Sequence, residues 1–350
     1  MEKNRETHIL VIRLSAMGDV AMTVPVLLGI LKKYPNTKIT MLTKPFYAPI
    51  FWGIKNVTVH AADVNGKHKG VFGLWRLFKS LKRLHVDGVA DLHNVLRSTL
   101  LKFFFKLTKV QFVQLDKGRE EKKSLTDPKR GALKPLKTTF ERYAEVVEHL
   151  GLPIAAEDMD RLPKRSIPEH LKEIYIPSEK ILIGIAPFAA FEAKMYPLHL
   201  MEVVLNELDQ TGRYKIILFG GGPQEAAFLE NWEKKFTNVS NVAGKLSFSE
   251  ELALISNLRL MLAMDSGNAH LAALYGVPTV TLWGVTHPYA GFYPFGQPES
   301  NAILSDRSMY PRIPTSIYGN KYPAGYGAVM DTIEPMVVRD KILEVLEHSV

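Results

Sequence analysis

The chain alternates short apolar runs with longer segments of helical period. Residues 8–14 (HILVIRL), 38–42, 57–61, 87–92 and 110–115 are apolar, rich in β-branched side chains and of strand length. Helical segments fall between them: an apolar one ending near Lys33, an amphipathic one over 71–85 and a third over 95–107. Pro25 lies inside the first, so it belongs in a first turn or makes a kink. Residues 116–135 are polar, basic and aperiodic, and a mobile loop is expected there. Residues 138–150 predict a helix with Phe140, Tyr143, Val146, Val147 and Leu150 on one face, stopped by Gly151 and Pro153. The breaker-rich stretch 154–178 is the expected linker.

A second alternating series begins at Ile181. Strands are expected from Ile181 through IGIAP, then at 214–219, 239–242, 260–264 and 279–283. Helices are expected over 197–209, 224–236, 248–258 and 269–275, with a last amphipathic one over 334–347. Strands alternating with helices imply parallel sheets covered on both faces, with ligands at the carboxyl ends of the strands where their order reverses.

Composition narrows the class. The 350 residues suffice for two domains, and the 46% apolar and 23% charged residues are those of a globular protein. There is no cysteine, hence no disulfide and no thiolate metal site, which fits a cytoplasmic protein. No signal-peptide core and no run of about 20 apolar residues is present, so no membrane span is expected. The net charge of +8 is localised: residues 97–137 hold twelve Lys and Arg against four Asp and Glu. Such a patch suits nucleic acid, anionic lipid or a phosphorylated substrate. Within it, LLKFFFKLTKV (100–110) reads either as a membrane-surface helix or as one with its apolar face buried on a sheet. Lys117, Arg119, Lys122, Lys123, Lys129 and Arg130, beyond it, have no packing reason to be there.

The stretch 260–284, LMLAMDSGNAHLAALYGVPTVTLWG, organises the second half. A buried strand turns through Asp265, Ser266, Gly267 and Asn268 into a short Ala-rich helix that Gly276 and Pro278 end. The start of that helix offers free N–H groups and partial positive charge to a phosphate; alternatively Asp265 or Ser266 simply caps it. With VTHP added, the stretch resembles the C-terminal motif of the family 9 glycosyltransferases, the ADP-heptose:lipopolysaccharide heptosyltransferases: D-[TS]-G-x-x-H-x-A-A-x-x-x-x-P-x-x-x-x-[FYW]-G-x-[TS]-x-P. Asp265, Ser266, Gly267, His270, Ala272, Ala273, Pro278, Trp283, Gly284, Thr286 and Pro288 fall in step.

The resemblance implies an α/β, GT-B-like fold: two Rossmann-like domains with parallel sheets facing a central cleft. Residues 1–165 would bind the acceptor and 179–330 the nucleotide sugar, with a helix in 331–350 returning to the first domain. Ser15-Ala16-Met17-Gly18-Asp19 resembles the family's S-x-x-G-D-[VI] loop. Its single glycine is not a dinucleotide fingerprint, which counts against a nicotinamide oxidoreductase. By resemblance Asp19 is the general base, with Gly18 beside it grouped with the donor site; otherwise Asp19 only caps the following helix. Lys194, in APFAAFEAKMYP, matches the lysine on the donor's phosphates. Ala186, Phe188 and Tyr196 depart from the family's H-P-G-[AS]-x-x-x-x-K-x-W-P. Glu225, after Gly220-Gly221-Gly222, matches a ribose-binding Glu, or else favours a helix dipole. Lys245 and Ser247 lie in a loop resembling one set against the base, where Ser247 also suits a cap. Asp265, Ser266, Gly267, Asn268 and His270 complete the donor set. His93 and Arg97, in a stretch resembling D-x-[QH]-x-x-x-[KR]-[ST], with Lys122 and Lys123, are the acceptor-side candidates.

No metal site is expected, since the histidines are scattered and no DxD triplet occurs; no cofactor is expected either. The expected activity is inverting, metal-independent transfer of a sugar, by family ADP-heptose, to a phosphorylated glycolipid of the lipid A–core type. The place would be the cytoplasm, peripherally at the inner face of the cytoplasmic membrane, with no nucleic-acid partner. The alternatives are a degenerate relative that binds the sugar nucleotide without transfer, and a basic nucleic-acid-binding protein.

Overall fold

The computed structural model describes residues 6–129, 131–176 and 179–348; Arg130 and the last two residues of the expected linker lie outside them. The chain forms two compact units, Met1–Arg119 with Lys137–Arg161, and Glu120–Leu136 with Leu162–Val350.

The first unit runs β1 (Thr7–Ile12), α1 (Met17–Ala21), α2 (Thr23–Lys33), β2 (Thr37–Thr43), β3 (Val57–Ala61), α3 (Gly70–Lys82), β4 (Gly88–Asp91), α4 (Leu96–Phe105) and β5 (Gln111–Gln114). Its five parallel strands are ordered β3-β2-β1-β4-β5. Ile9, Leu10, Val11 and Ile12 are all buried, as a central parallel strand covered on both faces requires. Pro25 is the third residue of α2, where its missing N–H had no intrahelical partner to lose. After the short α5 (Arg119–Leu125) the chain returns as α6 (Thr139–Glu148). Thr138 and Glu141 close a reciprocal capping box at the start of α6, Glu141 N–H donating to Thr138 Oγ1 at 3.2 Å.

The second unit holds α7 (Glu169–Tyr175), β6 (Ile181–Ala186), α8 (Leu198–Gln210), β7 (Tyr214–Leu218), α9 (Gly222–Lys235), β8 (Val239–Asn241), α10 (Phe248–Ser256), β9 (Leu260–Met264), α11 (Gly267–Leu274), β10 (Thr279–Trp283), β11 (Ala302–Leu304) and α12 (Pro335–Glu347). Its six parallel strands are ordered β11-β10-β9-β6-β7-β8.

Three expectations change. Residues 116–135 are not simply a loop. They include α5, and Leu125 and Lys122 are buried, with the Lys122 ammonium 4.5 Å from the Phe292 ring centroid. Leu136 N–H donates to Tyr289 O, so the stretch is fastened to the second unit. The linker is likewise attached. Asp158 pairs with Lys33 in the first unit, and Leu162 N–H bonds Leu274 O in the second, so the units divide at 161 rather than 165. Leu171 and Tyr175, one turn apart, bury the inner face of α7. Finally, α12 belongs to the second unit. It packs on α8, and Val338, Ile342, Val345 and Leu346 enter that unit's core, whereas the resemblance implied a return to the first.

Candidate active site

Both sheets reverse direction next to their first strands. In the first unit the reversal lies between β1 and β4; in the second it lies between β6 and β9. Loops leaving such a pair of strands splay apart and leave room for a ligand at their carboxyl ends. Two clusters of polar residues occupy these places.

In the first, Ile12 of β1 pairs with Asp91 of β4, so the residues that follow each strand emerge side by side. Arg13 is buried. It places Nη2 2.5 Å from Asp19 Oδ2 and donates Nη1–H to Leu92 O at 2.5 Å. Burial opposes the charge on Arg13, but Tyr143 and Asp19 outweigh it and raise its pKa. Asp19 stands at the third position of α1 and accepts from Ala16 N–H at 3.2 Å, so it does help cap the helix. Both of these contacts, to Arg13 and to Ala16 N–H, are made by Oδ2. The Asp19 carbonyl accepts from Tyr143 Oη at 3.3 Å. Gly18 is in the same turn, in the first unit and apart in the chain from every other residue grouped with the donor.

Buried Asp91 shapes the neighbouring loop. Its Oδ1 accepts from His93 and Asn94 N–H, each at 3.0 Å, and its Oδ2 from Gln114 Nε2 at 2.9 Å. This places buried His93 by Arg13 and Lys117. Burial first, then the charges of Arg13 and Lys117, push its pKa down to about 3, and Nδ1 has no hydrogen-bond partner. Burial, with Arg13 and Arg119, also lowers the Lys117 pKa. Arg97, exposed in the first turn of α4, adds to the field on His93. Lys123 is exposed on α5, and buried Lys122 places its ammonium over the Phe292 ring.

In the second unit, Lys194 ends a 3₁₀ turn (Glu192–Lys194) after β6. Its Nζ lies 2.8 Å from Asp265 Oδ2, which also accepts from Thr286 Oγ1 at 2.9 Å. Gly284 lies against the Ala193 carbonyl, where any Cβ would overlap that oxygen, and Gly319 lies across the aliphatic stem of Lys194. Ser266, at the N-cap position of α11, makes no side-chain cap, and its Oγ is buried without a partner among the described residues. The expected cap is absent because the carboxylate is held by Lys194 and Thr286. The N–H groups of the half-exposed Gly267 and Asn268 therefore start α11 without a side-chain cap, just after the carboxylate that holds the Lys194 ammonium. His270 is buried in the same turn.

The remaining donor-side candidates are more structural. Glu225 accepts from Gly221 N–H at 2.6 Å and so braces the glycine turn. Lys245 Nζ pairs with Glu233 at 2.6 Å, and Ser247 caps α10 through a box with Glu250. Phe188 turns its ring edge to Phe228 of α9, and buried Tyr196 donates to Ile333 O at 2.7 Å. Among the described residues no group of three or more His, Cys, Asp or Glu is placed to hold a metal ion.

Arg13, Asp91, Lys117 and Thr286 were given no individual role from the sequence, although Asp91 opened a matched motif and Lys117 lay in the basic segment. The signal for the first two was a charge at the end of an apolar strand. Thr286 stood in the matched motif without a role.

The two sheets and their switch-point clusters define a GT-B-type α/β protein. A solved family 9 glycosyltransferase from Veillonella parvula has this fold, at TM-score 0.75 and 21% identity over 98% of both chains. The ADP-heptose lipopolysaccharide heptosyltransferase II of Escherichia coli has it too, at TM-score 0.69 and 20% identity over 98% of this chain and 99% of that one. The sequence profile of glycosyltransferase family 9 (heptosyltransferase) matches residues 74–315, and the chain belongs to that family. It is 26% identical to the lipopolysaccharide core heptosyltransferase OpsX of Haemophilus influenzae over 79% of each. Membership does not favour the oxidoreductase or the nucleic-acid-binding reading.

Proposed function

We propose that this protein is an inverting glycosyltransferase that moves heptose from ADP-heptose to a phosphorylated lipopolysaccharide core acceptor. The observation that carries the reading is the start of α11, uncapped and beside Lys194 at the switch point of the second sheet. A nucleoside diphosphate fits such a place, and relatives of this fold and family act on ADP-heptose or on lipopolysaccharide core. The acceptor oxygen attacks the anomeric carbon as the bond from that carbon to the diphosphate breaks. Asp19 takes the acceptor proton on Oδ1, while Arg13 holds the carboxylate in place. Charge gathers on the leaving diphosphate, and Lys194 Nζ, with donors to spare beyond Asp265, meets it together with the α11 N–H groups. His93 and Arg97 of the first unit face the acceptor's anionic groups. In this reading the diphosphate's charge is met by protein groups, and turnover needs no divalent ion.

Among the described residues no helix is long and apolar enough to cross a membrane. The reading includes a cytoplasmic protein acting peripherally at the inner face of the cytoplasmic membrane.

The test is transfer from ADP-heptose to a core acceptor, followed as ADP release with and without chelator. Asp19→Ala is expected to lower kcat by roughly a hundredfold or more with ADP affinity unchanged. Equal transfer by the variant removes Asp19 from the chemistry. Tight ADP-heptose binding without transfer by the wild type favours a degenerate, binding-only relative.

A further inference from the structure

Helices α3 and α4 pack side by side. Their inner residues, among them Leu77, Phe78, Leu101 and Phe105, share a core with Leu10, Ile12 and Val89 of the sheet. An ordinary covering helix is polar on its other side. These two are not. Phe72 is 89% exposed, Leu96 78%, Leu107 67% and Phe103 63%, and Val71 is also exposed. Trp75 joins the two helices, its ring 5.1 Å from Phe104, which in turn lies 6.2 Å from Phe103. Phe72 precedes Trp75 by one turn of α3, and Leu96 precedes Phe103 by two turns of α4, so each helix presents these residues on one face, and Trp75 brings the two faces together.

The two helices and the segments next to them carry charge of one sign. Residues 64–86 and 92–115 together hold ten Lys and Arg and no Asp or Glu. Arg76 and Lys79 flank Trp75 on the outer side of α3; Lys106 and Lys109 lie beside Leu107, and all four are exposed. Aromatic and aliphatic side chains that project outward among exposed lysines and arginines match a lipid interface. The rings enter the acyl boundary and the cations meet anionic headgroups. A nucleic-acid groove would use the cations and leave Phe72, Leu96 and Leu107 in water.

We infer that the α3–α4 face of the first unit docks on an anionic bilayer surface. This deepens the glycolipid reading of the acceptor and rests on it for the choice of membrane lipid. Docking would hold the enzyme where its acceptor is embedded and raise the acceptor's local concentration.

The full chain is to be sedimented with vesicles of phosphatidylglycerol and phosphatidylethanolamine, and separately with vesicles of phosphatidylcholine alone. The wild type is expected to partition to the anionic vesicles, less at high salt. Phe72→Ser with Phe103→Ser is expected to lower partitioning roughly tenfold or more, while transfer to a lipid-free core oligosaccharide stays at the wild-type rate. Arg76→Glu with Lys106→Glu gives the same loss through charge alone. Absence of wild-type binding, or equal binding by both double variants, overturns the inference. So does a dimer that the Phe72/Phe103 variant breaks, or tight duplex DNA binding without vesicle binding. Vesicle binding without any transfer would instead remove the transferase reading and leave the docking face standing.

Discussion

Arg13 ends an otherwise apolar strand, and its burial is tolerable because Asp19 and the Leu92 carbonyl meet the guanidinium. The same cation, with Lys117 and burial, keeps His93 neutral. The sign follows. A folded pKa near 3 against 6.5 unfolded means that His93 contributes stability above the unfolded value and loses it as pH falls from there toward 3. The His93 ring-proton NMR signal is therefore expected to stay flat from about pH 8 to about pH 5, where an ordinary imidazole titrates. A midpoint near the unperturbed value would show that the site is wetter than its geometry implies. Asp19 was legible in the sequence because its loop carries a recognisable motif. Arg13 was not, since it reads as the frayed end of a strand, and Asp91 opened a matched motif without being given a role. Their role comes from the pairing of Ile12 with Asp91, which no local pattern displays.

At the scale of elements, periodicity located most of the strands and helices of both sheets, and β3 falls at the residues expected. It missed α5 and α7, short helices whose apolar residues are too few to set a period, and β11, of three residues. The sequence also left open a side-chain cap on α11, and tertiary contacts decide against it: the partners of Asp265 come from the loops after β6 and β10. Gly284 shows what that packing demands. A Cβ there would meet the Ala193 carbonyl and Met330, so Gly284→Ala must push the turn that carries Lys194. Overpacking of this kind costs about 1–3 kcal/mol. The expected result is a lower melting temperature and weaker ADP binding by titration calorimetry. A variant as stable as the wild type and with its affinity would mean that the turn gives way freely.

At the scale of the whole molecule, the alternation of strand and helix made the two-sheet class legible, but unit boundaries did not follow sequence order. Residues 120–136 group with the second unit because Lys122 and Leu136 bond to it, and α12 completes that unit's core. Ile342→Ala should cost about 2–5 kcal/mol. Hydrogen exchange is expected to quicken in α8 and β9 while β1 and β2 keep their protection. Faster exchange in β1 instead would place the helix's contribution in the first unit.

The loop that crosses Lys194 has a thermodynamic meaning of its own. Gly319 sits on the lysine's methylene stem with φ at +80°, a place and a conformation that suit no side chain. A free lysine has about 2 kcal/mol of rotamer entropy to lose when it grips an anion. Here much of that freedom is surrendered once, during folding, so diphosphate binding draws its affinity from a cation already in position.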